Sequence, residues 1–205
     1  MARGDCESAF RLAAERDGVD LVRAKVPWLK QRGHLGLPEE ALSAVPAMQA
    51  IFEALDGIEA DMAAKKLTAL PGDFVHLKSG VFLEVDESQH FTSFRLATLD
   101  LYPATIPLGF DLLEYKRLCR EWAPRSDRYR RDKAAIGFGP SGRQRQRAYN
   151  DALRDLVTPV MGHPPVIRLA ATNRDGVAAY ASARVRIRTA TAGSPRDQLQ
   201  PGNRP

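Results

Sequence analysis

The chain has 205 residues, of which 44% are hydrophobic and 27% charged, a composition typical of one globular domain with its own core. It contains no apolar run of about 18 residues, and its N-terminus lacks the apolar segment of a signal peptide. We therefore expect neither a transmembrane helix nor a membrane partner. The two cysteines, Cys6 and Cys119, are too far apart to form a metal-ligand pair, and we expect a reducing, cytoplasmic location.

The net charge of +5 is unevenly distributed along the chain. Eleven basic and three acidic residues lie between Lys116 and Arg147, so the rest of the chain is net acidic. A local arginine-rich segment is the expected electrostatic signature of a polyanion site. We predict nucleic-acid contacts from Arg128, Arg131, Arg143, Arg145 and Arg147. Trp122 and Tyr129 offer stacking surfaces for unpaired bases. The alternative is a solvated helix face with internal ion pairs.

The first predicted elements in chain order are helical. Residues 5–17 have helical spacing of apolar residues, and residues 38–42 begin with a proline followed by two acids, as helix N-termini do. The clearest amphipathic stripe covers residues 47–67. Periodicity does not decide whether Leu21–Val26 is a helix or a strand. We expect residues 1–44 to form an N-terminal helical extension.

A β-hairpin is predicted within residues 70–95. Two apolar runs, Asp73–Leu77 and Val81–Val85, are separated by Lys78-Ser79-Gly80, a polar pair followed by glycine that is typical of a tight turn. The second run is rich in β-branched and aromatic residues, as strands prefer. The tight turn fixes how the two strands pair.

Three acids are expected to converge on this hairpin. Glu84 and Asp86 share one face because side chains alternate along a strand, and the turn places Asp73 roughly opposite Glu84. Carboxylates this close need a cation, or one of them must retain a proton. Oxygen ligands suit Mg²⁺ or Mn²⁺, so we predict a metal site formed by Asp73, Glu84 and Asp86. The alternative is an exposed acidic face, or acids paired with arginines.

The hairpin and the polar residues after it also resemble a known family. The pattern Asp…Glu-x-(Asp/Lys) is similar to the metal-binding core of the PD-(D/E)XK restriction-endonuclease-like superfamily. Residues 83–90, Leu-Glu-Val-Asp-Glu-Ser-Gln-His, resemble the signature (I/V)-E-x-D-G-x-x-H of the branch near the very-short-patch-repair endonucleases. In that branch Asp replaces the lysine of the parent motif, as Asp86 does here. Glu87 stands where the signature has Gly. Arg95 loosely matches an arginine that follows in the branch.

The resemblance implies a metal-dependent endonuclease with DNA as its partner. Its catalytic residues would be Asp73, Glu84, Asp86, His90 and Arg95. The Asp73 and Glu84 carboxylates and the Val85 carbonyl would hold Mg²⁺ or Mn²⁺. Asp86 would be a further ligand or would orient the attacking water.

The remaining two residues would act on the phosphate. His90 would donate to a phosphate oxygen or protonate the leaving group, because its ordinary pKa allows both near neutral pH. Arg95 would clamp the phosphate. The rival hypothesis is a non-catalytic nucleic-acid-binding or interaction module on the same scaffold, because a fold alone does not establish activity. A purely structural protein with surface acids is the third.

The rest of the chain continues the alternation of helices and strands. The predicted elements are a helix at Thr92–Leu101 capped by Thr92 or Ser93, a short helix at Asp111–Trp122, a helix at Arg143–Pro159, a strand within His163–Ala171 and a helix, less favourably a strand, at Val177–Ile187. Gly139–Gly142 lacks the lysine and hydroxyl residue of a P-loop, so a nucleoside-triphosphate site is not expected.

This order of elements indicates an α/β domain. Helices on both sides of a small mixed sheet would form three layers, which also resembles the restriction-endonuclease-like core. We therefore expect a three-layer α/β/α core over residues 45–190, with an Arg-rich insertion at about 103–142. Residues 191–205 have no periodicity and are predicted to form a disordered tail.

Overall fold

Four strands form a single sheet in the computed structural model, which describes residues 5–192. The strands are β1 (Val22–Lys30), β2 (Ala69–His76), β3 (Val81–Glu87) and β4 (Ile167–Ala171). They lie in the order β1-β2-β3-β4. β2 is antiparallel to both β1 and β3, and β4 is parallel to β3. A parallel neighbour requires a long crossover, and most of the helical chain lies between β3 and β4.

Seven α-helices lie within the described residues. They are α1 (Asp5–Arg16), α2 (Val45–Ala54), α3 (Glu59–Ala63), α4 (Ser93–Asp100), α5 (Leu112–Ser126), α6 (Arg143–Val160) and α7 (Gly176–Ala192). Short 3-10 helices occur at Gly33–Gly36, Glu39–Ala44 and Ser88–His90. None of the helices within residues 5–192 has the length and apolar character that a membrane span requires.

The two faces of the sheet are covered by different helices. On one face α1 packs against α7, and the Phe10 ring lies between Phe74 of β2 and Tyr180 of α7. On the other face α2, α4, α5 and α6 share a second core with Phe82 of β3. β3 is buried on both sides, as expected for a central strand with helices above and below. The predicted mixed α/β fold with a small mixed sheet is confirmed.

The N-terminal region departs from the prediction of a helical extension over residues 1–44. Val22–Lys30 forms β1, an edge strand that pairs with β2. Burial alternates along it, with Arg23 and Lys25 exposed and Ala24 and Val26 buried. Charged side chains on an edge strand discourage pairing with other chains. The segment left undecided by periodicity is therefore part of the core sheet.

The helix predicted over residues 47–67 is in fact two helices. α2 ends at Ala54, and Asp56 then adopts a left-handed backbone conformation with φ of 51°. A Cβ at Gly57 would overlap the Phe52 ring, so this position requires glycine. The apolar spacing continues through the break because Leu55 and Met62 both reach the core, and periodicity alone therefore did not reveal it.

The elements after the hairpin agree closely with the predictions. The Thr92 side chain accepts a hydrogen bond from the Arg95 backbone N–H (3.0 Å) and so caps α4. α5 lies within the predicted insertion, yet Tyr115 and Cys119 on its inner face are buried in the core. α7 continues through Ala192, so the first two residues of the predicted tail are helical. The remainder of that tail lies outside the described residues.

Candidate functional site

The β2–β3 hairpin holds two carboxylates side by side. Its turn pairs Phe74 with Leu83, which places Asp73 across from Glu84 as the sequence indicated. At that point side chains replace the backbone ladder. The Asp73 N–H donates to Glu84 Oε1 (3.2 Å), and the Val85 N–H donates to Asp73 Oδ2 (2.8 Å). The Asp73 backbone thus fixes the Glu84 carboxylate, and the Val85 backbone fixes the Asp73 carboxylate.

Both carboxyl groups are energetically disfavoured as anions. Burial, reinforced by the charge of Glu84, holds the pKa of Asp73 well above its ordinary value. Burial also raises the pKa of Glu84, although Arg154 opposes this with its Nε 3.3 Å from Glu84 Oε1. Gly72 leaves room for the pair, because a Cβ there would lie 2.7 Å from Glu84 Oε1. The pair therefore has the electrostatics of a cation site.

Asp86 lies on the same face of β3 but does not join this pair. Its side chain is 1% exposed, and both of its oxygens lie 3.0 Å from Nη1 of Arg168 on β4. The Tyr115 hydroxyl donates to it from α5 (3.3 Å). The predicted convergence of three acids is therefore corrected to a pair and a separate, neutralised aspartate. Arg168, 82 residues away in sequence, is the cause.

His90 connects Asp86 to α6. Its Nδ1 lies 3.2 Å from Asp86 Oδ1 and 3.0 Å from Asp151 Oδ2. Burial raises the pKa of Asp151, but the positive charges of Arg168 and His90 outweigh burial and hold it well below the ordinary value. The three side chains offer ligand atoms within 4.8 Å of one another and could hold a metal. Arg168 already balances their negative charge, however, so this group needs a cation less than the hairpin pair does.

Arg95 is placed differently from the prediction. Its side chain is fully buried, with Nη2 donating to Asp155 Oδ2 (2.7 Å) and Nη1 to the Tyr102 hydroxyl (2.7 Å). The other Asp155 oxygen accepts from Arg168 Nε (2.7 Å). Arg95 is therefore committed to a buried network and has no donor directed at a ligand in the cleft. The predicted phosphate clamp is corrected to a residue that supports the core.

A cleft of about 630 Å³ opens between the hairpin and α6. Its acidic residues are Glu7, Asp73, Glu84, Glu87 and Asp151. Its arginines are Arg130, Arg143, Arg147, Arg154 and Arg174. Three of these arginines come from one face of α6, since residues 143, 147 and 154 follow the helical repeat. Burial lowers the pKa of Arg147, whose Nη1 donates to the Gln89 carbonyl (2.9 Å).

The five arginines predicted to contact nucleic acid do not share one surface. Arg143 and Arg147 line the cleft. Arg145 lies on another face of α6 and pairs with a carboxylate of the α2–α3 connection (3.0 Å). Arg128 and Arg131 are exposed on the loop after α5 and do not line the cleft. Of the five arginines predicted to contact nucleic acid, only Arg143 and Arg147 therefore line the cleft.

One comparison with known proteins gives a result. The model of a protein family described as a family of unknown function (DUF7255) matches residues 50–184, most of the chain. The chain belongs to this family. No curated protein and no solved structure matches the chain. The region matched to DUF7255 contains the hairpin, His90, α6 and β4, and so contains the carboxylate pair and most of the cleft.

Sequence reasoning missed several site residues of this DUF7255 chain, although signals for them exist. Asp151 and Asp155 are four residues apart beside Ala148 and Ala152, so both fall near the inward face of α6. Arg168 interrupts the apolar strand β4. Acids on an inward helical face and an arginine inside an apolar strand together indicate a buried ionic network. The pairing itself depends on contacts that are distant in sequence.

Proposed function

We propose that the cleft between the β2–β3 hairpin and α6 hydrolyses phosphodiester bonds of a nucleic acid in a metal-dependent reaction. This proposal is based on two facing walls of the cleft that differ in charge. One wall holds the half-buried Asp73 and the buried Glu84, two adjacent acids whose pKa values are both raised. The other wall presents the arginines of α6. Acids for a divalent cation facing guanidinium groups for an anion match a phosphate ester coordinated to a metal.

The carboxylate pair fits Mg²⁺ or Mn²⁺ by its chemistry. Asp73 accepts its backbone hydrogen bond through Oδ2 and Glu84 through Oε1, so each acid has a second oxygen available as a ligand. The Val85 carbonyl is the third oxygen ligand that the resemblance to the PD-(D/E)XK superfamily implies. A bound divalent cation would supply Lewis acidity and a water of lowered pKa. The small mixed sheet with helices on both faces supports the same resemblance.

The protein's own groups would bind and orient the phosphate. Arg143, Arg147 and Arg154 would neutralise its oxygens as negative charge develops in the transition state. Asp151 and Asp86 hold Nδ1 of His90, which leaves Nε2 of the ring to donate to a phosphate oxygen or to the leaving group. Asp151 would thus be a positioning residue for His90.

One observation favours a second candidate, a non-catalytic nucleic-acid-binding module. The resemblance assigns Asp86 the place of the catalytic lysine, yet Asp86 is buried and neutralised by Arg168. It therefore does not reach the cleft to orient a water. In this alternative the arginines of α6 would still bind the nucleic acid backbone, and the acid pair would bind a structural cation or a proton.

The deciding experiment compares the wild type with Glu84→Gln. Single-stranded, double-stranded and mismatched DNA and RNA would be incubated with Mg²⁺, Mn²⁺ or EDTA. We expect cleavage only with metal, and a loss of more than about a hundredfold in Glu84→Gln, because even indirect metal-site partners are worth 10–100-fold. Glu87→Gln is the matched control, since Glu87 lines the same cleft and pairs with Arg174 (3.4 Å).

A thermal-shift titration with Mg²⁺ tests the metal site independently of cleavage. A metal present at a hundred times its Kd should stabilise the wild type by about 2.7 kcal/mol and leave Glu84→Gln unaffected. Metal binding without cleavage, together with salt-sensitive nucleic-acid binding, would select the non-catalytic module. Absence of both cleavage and binding would reject both candidates.

A further inference from the structure

The cleft continues into a second, strongly basic pocket of about 430 Å³. Its charged lining residues are Lys65, Arg130, Lys133 and Arg143, and no acid of the described chain lines it. Gln31, Gln146 and two of these cations line both the pocket and the cleft. An anion that occupies the cleft therefore lies beside residues that also line the pocket.

Lys65 gives the pocket a cation whose charge is poorly compensated. Its Nζ contacts the Met62 sulfur (3.7 Å), which is a weak acceptor. Burial lowers the pKa of Lys65, and no carboxylate within residues 5–192 lies near enough to oppose that shift. A half-buried ammonium group is disfavoured unless an anion accompanies it. A phosphate in the pocket would supply that anion.

The start of α6 points to the same ligand. The first turn of α6 carries no acid, and Arg143, Arg145 and Arg147 place positive charge at the positive end of the helix dipole. This arrangement opposes the dipole. Arg145 pairs with Asp56, and Arg143 and Arg147 line the cleft. An anion beside them would offset the unfavourable charge.

Exposed apolar surfaces accompany the cations. Tyr129 lines the cleft with 39% of its surface exposed, and the Arg130 guanidinium lies 5.3 Å from its ring centroid. Ile136, 65% exposed, lines the basic pocket. Arg130 has a left-handed backbone with φ of 54°, a sparsely populated conformation for a non-glycine residue. Stacking surfaces next to backbone-binding cations are typical of sites for unpaired bases.

We infer that this basic pocket binds backbone phosphates of a single-stranded polynucleotide, next to the phosphate in the cleft, with one base stacked on Tyr129. The assignment of the cleft phosphate as the scissile one rests on the proposed function, but binding in the pocket does not. A duplex would not satisfy the site equally well, because its bases stack on one another and their faces are not available to a protein ring.

The test is equilibrium binding of a labelled single-stranded oligonucleotide in EDTA, measured by fluorescence anisotropy over a range of salt concentrations. The double variant Lys65→Gln/Lys133→Gln should lower the slope of log affinity against log salt by about 1.4, the value for two phosphate contacts with a single strand. The matched control, Lys66→Gln/Lys78→Gln, removes the same charge outside both pockets and should keep the wild-type slope.

A second variant tests the stacking surface. Tyr129→Ala should weaken single-strand binding by roughly fivefold to a hundredfold while leaving the salt slope unchanged. A duplex of the same sequence should bind more weakly than the single strand and respond little to this variant. Equal slopes for the wild type and the double lysine variant, or tighter binding of the duplex, would overturn the inference.

These outcomes are distinct from those of the proposed function. Binding is measured without metal, so failure to cleave leaves the inference standing when the double variant loses affinity. Cleavage that depends on Glu84 but is indifferent to Lys65 and Lys133 would reject the pocket and leave the proposed function intact. Inorganic phosphate as competitor reports whether one phosphate is sufficient. We expect it to compete much more weakly than the oligonucleotide.

Discussion

Arg168 lies on β4 with its side chain fully buried, and its guanidinium contacts three aspartates. It pairs with Asp86 (3.0 Å), Asp151 (3.4 Å) and Asp155 (2.7 Å). Burial opposes its charge, but these aspartates outweigh burial and hold its pKa well above the ordinary value. Asp86 differs from the hairpin acids because Arg168 neutralises its charge, so Asp86 does not require a metal for that purpose.

Replacing Arg168 with methionine should destabilise the protein strongly. The aspartates would remain buried without their shared cation, and breaking a buried ionic network from one side typically costs about 3–5 kcal/mol. Urea unfolding would measure the change. Arg174→Met is the control, because its pair with Glu87 is partly solvated and should be worth less than about 1 kcal/mol. Similar losses in both variants would contradict the importance of the buried network.

The hairpin acids should make stability depend on pH in the direction opposite to ordinary ion-paired acids. The folded-state pKa of Asp73 is raised by burial, so the folded protein binds more protons than the unfolded chain above the ordinary Asp pKa. Stability should therefore fall as pH rises from that value through the raised pKa. Asp73→Asn should reduce this decline to the part that Glu84 contributes, whereas Asp20→Asn, an exposed control, should leave it unchanged.

The measurement is the urea midpoint as a function of pH without divalent metal. Asp151 contributes the opposite trend, because its folded-state pKa is lowered and its stabilisation is lost as pH falls through that lowered value. The two effects thus occupy different pH ranges. A wild-type midpoint that rises across the range assigned to Asp73 would rule out a carboxyl of raised pKa at this position.

The sequence predicted the position of a single residue only where its partners are close along the chain. The proximity of Asp73 and Glu84 follows from a three-residue turn, so local rules were enough. The partners of Asp86 and Arg95 come from α6 and β4, and their positions depend on how the crossover packs on the sheet. The motif therefore predicted the proximity of Asp73 and Glu84, but not the positions of Asp86 and Arg95, whose charges are neutralised by distant residues.

At the scale of elements, α6 carries three different sets of residues on three faces. One face carries the cleft arginines, a second carries the buried aspartates, and a third packs against the core through residues such as Tyr149 and Leu153. The sequence predicted the extent of this helix well, because the glycine-rich loop before it and its periodicity are local signals. It did not predict which face meets the hairpin, since that orientation is set by tertiary packing.

Strand β2 contributes a glycine that leaves room for the Glu84 carboxylate. A Cβ at Gly72 would lie 2.7 Å from Glu84 Oε1 and 3.2 Å from the Ala24 Cβ. The end of the Glu84 side chain can move at modest cost, so Gly72→Ala should change the position of that carboxylate more than it changes stability. We expect the apparent affinity for Mg²⁺ to fall at least tenfold.

Thermal-shift titrations with Mg²⁺ would measure this effect. Ala69→Gly, a change of the same size on the same strand but away from the Glu84 carboxylate, is the comparison. If Gly72→Ala binds Mg²⁺ as the wild type does, the metal does not depend on Glu84 being held in this position, and the hairpin pair would lose its assigned role.

At the scale of the whole molecule, helices from opposite ends of the described chain close one face of the sheet. α1 packs against α7, and Gly176 allows the close approach because a Cβ there would overlap the Cys6 carbonyl. The other face carries α6 and the cleft. The N-terminal residues are therefore part of the same core that positions the acid pair, rather than an appended extension.

Phe10→Ala tests this integration. The Phe10 ring is fully buried against Phe74, the residue next to Asp73, so its loss should cost about 3–5 kcal/mol. Leu12→Ala on the same helix is the control, since Leu12 is 45% exposed and should change stability by less than about 0.5 kcal/mol. If α1 and the sheet form one cooperative unit, the urea transition of Phe10→Ala should shift as a single step when followed by fluorescence and by circular dichroism. Two separate transitions, with the hairpin unfolding at the wild-type midpoint, would instead identify the N-terminal region as an independent extension.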